Sequence, residues 1–339
     1  MGVRFPLVAV VMLILAAFIG VRAAGLDHFF GVAVPYVAIF AFLGGVIFKI
    51  LKWGSSPVPF RIPTTAGQQK SLPWIHHDKL DNPSTKWQTV GRMILEVLFF
   101  RSLFRNTKFE MQKGRFYYQG EKWLWLASLA FHYSFLVILI RHLRFFTQPA
   151  PSFVHSIERL DGFLQIGLPG IYITDMLFIA AVTYLLVRRL IIPQVRYISL
   201  PQDYFPLFLL LAIGTTGIFT RYITKVDLIK VKQLAMGIVT FNPIVPEGIG
   251  AIFFIHIFLV SVLFAYFPFS ELMHAGGVFL SPTRNLPNDS RIRRHVNPWN
   301  YPVKVHTYAE YEDHFRKKMV EAGLPVEKGL EEVEATVKH

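Results

Sequence analysis

Cysteine is absent from all 339 residues. Disulfides, thiolate-ligated iron–sulfur clusters and covalent haem attachment through C-x-x-C-H are therefore excluded. Charge is also scarce: 17% of residues are Asp, Glu, Lys or Arg, where a soluble chain carries about 25%. With 53% hydrophobic residues and a mean hydropathy of +0.41, the composition is that of an all-α integral membrane protein. No internal repeat and no glycine-rich phosphate loop occurs. Acids are almost missing from the apolar runs, which counts against the connected polar path a proton-relaying transporter or channel needs.

Six apolar runs are present, at 4–24, 29–51, 123–146, 171–190, 204–223 and 246–270. Each approaches the ~20 residues that a helix needs to cross a bilayer. The segments 52–122, 188–204 and 281–339 hold 12, 3 and 10 Lys and Arg, and Arg4 and Lys49 join them on one side. The other side has 8. Basic residues favour the cytoplasm, so both long segments and the C-terminus are expected there, in a multi-pass protein of the cytoplasmic (inner) membrane. Topology thus accounts for the net charge of +13 without nucleic acid. Arg4, the first run and Val21-Arg22-Ala23-Ala24 loosely resemble a signal peptide; we read residues 1–28 as an extra transmembrane helix.

Between the second and third runs, 55–74 is Pro-rich and reads as extended loop. Residues 86–105 place Trp87, Val90, Ile94 and Leu98 at helical spacing, with Arg92, Glu96 and Arg101 between them. This predicts an amphipathic helix lying at the cytoplasmic interface, against a partner, or on its own bundle. In the tail, Thr307-x-x-Glu310 forms a capping box before a helix that Gly323 and Pro325 stop.

Four histidines lie in the apolar runs. His132 and His142 are ten apart in WLWLASLAFHYSFLVILIRHLRFF, and His256 and His274 eighteen apart in IGAIFFIHIFLVSVLFAYFPFSELMH. An imidazole in a bilayer core is costly without a partner, and facing helices can use imidazoles to hold haem. The two runs are antiparallel, so topology pairs His132 with His274 on the inner side and His142 with His256 on the outer side. The intervals correspond to about 15 Å and about 27 Å of helix, a mismatch that a kink at Pro268 or helix tilt can absorb. Any haem is of the non-covalent b type. Arg141, Arg144 and Arg221 gather at the outer end, where arginine pairs well with haem propionates. His28, His76, His77, His155 and His306 fall in loops and read as solvated.

The spacings in HYSFLVILIRH and HIFLVSVLFAYFPFSELMH, with the FPFS-x-L-x-H ending, resemble the respiratory nitrate reductase gamma subunit family over residues 29–275. That resemblance implies a five-helix dihaem b bundle that oxidises quinol. It assigns the axial ligands to His132 and His274 for the inner haem iron, and to His142 and His256 for the outer. The bundle then comprises 29–51 and 123–275, with the cytoplasmic segment 52–122 between them and a partner-docking tail at 276–339. The N-terminal helix, long cytoplasmic segment and tail are similar to the DsrM branch, the membrane cytochromes of the sulfite-reduction-associated Dsr complex; the heterodisulfide reductase cytochrome is also related. This likeness implies menaquinol as electron donor, a DsrK-like cytoplasmic iron–sulfur partner, and DsrJ-, DsrO- and DsrP-like subunits.

Quinol oxidation releases protons. Asp175, at the outer end of an apolar run, is the first acceptor candidate, and Asp161 in the preceding loop is the second. Inward electron transfer would be electrogenic, worth roughly 2.3 kcal/mol per charge at 100 mV. The direction is not written in the residues, so quinone reduction stands beside quinol oxidation. A haem-free membrane anchor is a further alternative, and it leaves the four histidines unexplained.

Overall fold

The structure is a computed structural model; residues 2–56, 67–112, 114–163, 165–167, 170–289, 302 and 305–328 are described. Part of the Pro-rich stretch, at 57–66, and two tail segments, at 290–301 and 329–339, lie outside them. Two compact units are present: Met1–Ser56 with Arg61–Arg294, and Pro57–Phe60 with His295–His339.

The first unit is a helical bundle. Its first helix, α1, spans Arg4–Arg22, and a π-turn at Phe29–Ala33 leads into α2, Val34–Gly54. The intervening segment holds the amphipathic α3, Lys86–Phe99, the short α4, Arg101–Phe104, and an antiparallel hairpin of β1, Thr107–Gln112, and β2, Arg115–Gly120. Then come α5, Lys122–His142; α6, Ser152–Phe163; α7, Ile173–Ile191; α8, Pro193–Ile198; and α9, Pro201–Ile218. The chain finishes the bundle with α10, Leu228–Val239, α11, Ala251–Tyr266, and α12, His274–Gly277.

Five segments have the length and hydropathy to cross a membrane: Arg4–Arg22, Phe29–Gly54, Lys122–Phe145, Pro201–Ile223 and Ala251–Phe269. The protein is therefore a multi-pass membrane protein. The sixth expected span is α7, a 19-residue helix whose Asp175, Arg188 and Arg189 make it less apolar than the rest. It nevertheless packs between α5 and α9. In turn α9 packs on α11, α11 on α2, and α1 lies across α9 and α11.

The apolar core reflects this order. Val10, Ala17, Leu209, Leu259 and Phe254 form one cluster, and Phe178, Val182 and Leu210 form another beside Phe131 and Phe135. Large apolar side chains such as Phe40, Ile47, Leu136 and Leu139 remain exposed on the outside, as a lipid-facing surface requires.

The last span does not run straight to His274. After Tyr266 the chain tightens into a 3-10 turn at Phe267–Phe269, turns extended at Ser270 (φ −120°, ψ 177°), and makes a second 3-10 turn before α12. Pro268, which lacks an N–H, initiates the break. Its ring is buried against α2 at Gly45, where an added Cβ would stand 2.7 Å from the Pro268 Cβ. Only a glycine lets the two segments close there. The break takes His274 off the axis of α11, so the interval from His256 is not a single straight helix.

The second unit contains α13, Tyr308–Glu321, within its described residues. Its capping box forms as expected: Thr307 Oγ1 accepts from Glu310 N–H at 3.3 Å, and Glu310 Oε2 from Thr307 N–H at 3.0 Å. The helix stops before Gly323, at φ +70°.

Candidate functional site: two facing histidine pairs

His132 lies mid-way along α5 and His274 opens α12. Their rings face each other with centroids 6.1 Å apart and planes at 79°. His142 ends α5, and His256 sits on α11. The structure thus sets His132 and His274 face to face, the inner pair that the topology predicts.

The Nδ1 atoms have defined partners. His132 Nδ1 is 2.7 Å from the Ser128 carbonyl, His142 Nδ1 2.7 Å from the Ile138 carbonyl, and His274 Nδ1 2.8 Å from the Glu271 carbonyl. A carbonyl only accepts, so Nδ1 carries the proton in each ring and Nε2 is left with a lone pair. His256 has a different partner, Thr216 Oγ1, at 3.0 Å. That hydroxyl lies 2.8 Å from the Ala212 carbonyl, to which it donates, so its oxygen accepts from His256 Nδ1–H. All four imidazoles therefore present Nε2 as a metal-type donor, in the tautomer that a hydrogen bond to the opposite nitrogen fixes. Gly217 makes room for the His256 ring: a Cβ there would lie 3.2 Å from Cε1.

Phe100 closes the inner pair from the side. Its backbone is left-handed (φ 49°), and its ring meets His132 edge-on at 4.9 Å. The strained turn is held by a polar knot. Asp81 pairs with Arg101 and Arg105; Arg92 Nη1 donates to the Asp81 carbonyl at 3.0 Å. Glu96 accepts from Ser102 and from Arg284 Nη1 at 3.2 Å. Residues 67–105 are thereby tied to 284–288, with Asn288 Nδ2 donating to Asn82 Oδ1 at 2.5 Å.

At the outer end the three arginines separate. Arg141 is buried; its guanidinium binds Asp161 and, at 2.8 Å, Asp175, and lies 4.2 Å from the Tyr172 ring. Arg221 covers the same Tyr172 ring at 4.2 Å and makes no ion pair among the described residues. Arg144 pairs with Glu158 and lies over Phe145 at 4.8 Å.

The two candidate acids meet in the Arg141 cluster, with unequal freedom. Both Asp175 oxygens are taken, one by Arg141 and the other by the Tyr222 hydroxyl at 2.6 Å. Asp161 Oδ2 holds Arg141 and accepts from Thr174 at 2.7 Å, while its buried Oδ1 has no hydrogen-bond partner among the described residues.

Beside this cluster is an open cavity of about 690 Å³, lined by Arg144, Phe145, Gln148, His155, Glu158 and Lys232 among others. Phe145 connects it to the outer pair, its ring 5.9 Å from that of His142. The sequence reading treats 152–163 and 228–239 as loops, yet they form α6 and α10 and build this wall. His155, read from sequence as a solvated loop residue, and Glu158 and Lys232, which sequence reasoning does not single out, all line this cavity. The three-residue spacing of His155, Glu158 and Asp161, on one helical face, is the signal that could have shown them.

A bundle of apolar helices enclosing two imidazole pairs, with an outer cavity beside one pair, has counterparts among known proteins. The nitrate reductase gamma subunit profile matches residues 89–293, and the chain belongs to that family. The match begins in α3, past the first two spans. Two archaeal relatives are described as Hdr-like menaquinol oxidoreductase cytochrome b-like subunits. The Archaeoglobus fulgidus protein is 50% identical over 278 residues, 80% of this chain and 83% of its own. That of Archaeoglobus profundus is 43% identical over 279 residues, 79% and 82% respectively. The Escherichia coli respiratory nitrate reductase 1 gamma chain is 28% identical over 167 residues, 45% of this chain and 71% of its own.

Proposed function

We propose that this chain is a dihaem b membrane subunit that oxidises menaquinol and delivers electrons to an iron–sulfur subunit on the cytoplasmic side. The observation that carries the reading is the four imidazoles, each with Nδ1 engaged and Nε2 left to ligate. His132 and His274 would hold an inner haem, and His142 and His256 an outer one. The donor set fits: a ring separation of 6.1 Å accommodates two metal–nitrogen bonds of about 2 Å each. The porphyrin brings its own four nitrogens, so two imidazoles complete the set. Haem supplies one-electron carriage across the bundle when bound. The names of the Archaeoglobus relatives support menaquinol as donor.

The outer cavity is our candidate menaquinol site, since its volume falls within the roughly 300–1,000 Å³ of small-molecule pockets and Phe145 joins it to His142. His155 and Glu158 on its wall stand ready to receive the quinol protons. Asp161 is next along the same face and keeps Oδ1 free among the described residues, so of the two acids first considered it is the better acceptor. Asp175, with both oxygens committed, orients Arg141. Arg221, which makes no ion pair among the described residues, is the best placed of the three arginines to meet a propionate; Arg141 and Arg144 already hold carboxylates.

By resemblance, the partner is a DsrK-like subunit, the wider complex includes DsrJ-, DsrO- and DsrP-like chains, and the setting is sulfur or sulfite metabolism, with the chain itself DsrM-like. The segment 52–122 and the C-terminal tail are proposed to be cytoplasmic on the bias of Lys and Arg alone.

The direct test is a dithionite-reduced minus oxidised spectrum with haem quantified as the pyridine haemochrome. Two b haems per chain, falling to one in both His142→Ala and His256→Ala, are expected. A folded chain free of haem would leave a membrane anchor in place of a cytochrome.

A further inference from the structure

Helix α3 is amphipathic in the reverse sense to a helix on a soluble protein. Its buried residues are Thr89, Arg92 and Glu96, at 5, 5 and 8% exposure, while Trp87, Val90, Ile94 and Leu98 are 84, 47, 50 and 45% exposed. The inward face is occupied by the polar knot, where Arg92 and Glu96 find their partners. The outward face is an unbroken apolar stripe at spacings of three and four. In water such a stripe would be an aggregation or docking liability.

The end of α3 identifies the surroundings. A helix leaves its last carbonyls without intrahelical partners, and in hydrocarbon no water is present to satisfy them. Here two of them are capped by side chains of the neighbouring span: Trp125 Nε1 donates to the Phe99 carbonyl at 2.7 Å, and the Tyr133 hydroxyl to the Leu98 carbonyl at 2.8 Å. Trp125 and Tyr133 stand about 5 and 16 Å along α5 from Lys122, at ~1.5 Å per residue. The C-terminal end of α3 thus lies beside a membrane span, well inside its apolar length. Its stripe continues the exposed apolar surface of α5, which includes Leu126 and Leu136.

We infer that α3 is a half-inserted helix whose apolar stripe is covered by lipid acyl chains of the leaflet where α5 begins. A soluble partner does not cover it. Its charged face stays dry, with Arg92 Nη1 on the Asp81 carbonyl and Glu96 on Ser102 and Arg284, which lowers the cost of intramembrane charge. The helix also anchors the Phe100 turn that packs on His132, so lipid contact and the inner histidine pair are mechanically joined.

The absence of cysteine makes the test direct. A nitroxide is attached to single-cysteine variants Ile94→Cys and, as a second site, Leu98→Cys in the full chain in lipid bilayers. Collision rates are measured with oxygen, which partitions into hydrocarbon, and with a water-soluble nickel chelate. Leu136→Cys on α5 serves as the lipid-facing reference and His306→Cys, in the polar tail and 58% exposed at its side chain, as the aqueous one. Oxygen-to-nickel ratios at 94 and 98 matching Leu136→Cys are expected. Ratios matching His306→Cys would overturn the inference, as would labels shielded from both reagents, which would indicate protein cover. A label at 94 that disturbs folding is recognised by loss of the chain's normal elution, and Leu98→Cys then decides.

Discussion

His256 and Thr216 form a tautomer lock between two spans: the Thr216 hydroxyl donates to the Ala212 carbonyl in its own helix and accepts from His256 Nδ1 on α11. The other three histidines use backbone carbonyls for the same purpose, so this is the one lock that a side-chain substitution can remove. Thr216→Val is expected to weaken outer haem retention by about 10- to 100-fold, the usual effect of losing a hydrogen bond behind a metal ligand. Thr216→Ser retains the hydroxyl and the haem. Haem stoichiometry and redox titration of the two variants check this, with the inner haem as internal reference.

Glu158 and Asp175 should separate by the kind of damage their loss causes. Glu158→Gln leaves haem content intact but slows haem reduction by a menaquinol analogue by about 100-fold, a typical contribution of a positioned proton acceptor. Asp175→Asn instead weakens the Arg141 cluster and lowers the thermal midpoint. Stopped-flow reduction measured beside melting in detergent distinguishes the two. Equal rates for Glu158→Gln and the parent chain would sink the cavity assignment.

Arg141 is the centre of a buried cluster whose two anionic members are Asp161 and Asp175. Arg141→Ala strands Asp161 and Asp175 as uncompensated buried charges, at a cost of about 3–5 kcal/mol. Arg141→Lys recovers part of this, since one ammonium cannot match a guanidinium fork. Thermal unfolding of the two variants in the same detergent provides the comparison.

Gly45→Ala places a methyl against the rigid Pro268 ring, with closest approaches of 2.7 and 2.9 Å. We expect a loss of about 1–3 kcal/mol from overpacking. His274 follows that bend, so the inner haem should be lost before the outer one. Gly44→Ala, with nothing within 4 Å of the added carbon, is the matched control.

The polar knot has an acid limit. Burial pushes the Asp81 carboxyl up, but hydrogen bonds and charge from Arg101 and Arg105 prevail and bring it down to about 2. A folded value below the ordinary carboxylate pKa of about 4 means the stabilisation is complete above pH 4 and disappears as pH falls toward 2. Limited proteolysis of residues 67–106 across that window should show the loosening. Asp81→Asn should leave the segment loose at every pH.

Much of this was legible because apolar length and histidine spacing are strong, local signals. The five membrane-length helices and the pairing of His132 with His274 follow from hydropathy and topology alone. What escaped depends on tertiary contact. The hairpin of β1 and β2, with Gly114 at φ 75°, is not foreseen in the sequence, where 107–120 is only part of the cytoplasmic segment. Outer helices α6 and α10 are short and mixed in polarity, so their periodicity does not separate them from loop. Arg141, expected near a propionate, binds two acids that lie far along the chain, a choice that no spacing encodes. The break after Tyr266 was anticipated at Pro268, but the extended turn at Ser270 that completes it was not.

The position of His274 beyond that break sets an order of biogenesis. Both outer histidines lie within or at the end of full spans, so the proposed outer pair can form once α11 has entered the bilayer. The inner pair must wait for a residue synthesised after the last span, because the chain is made from its N-terminus. A chain truncated between Tyr266 and His274 would therefore keep both outer histidines and lack one of the inner two. In the finished membrane, the inner pair is the last part of the bundle to mature.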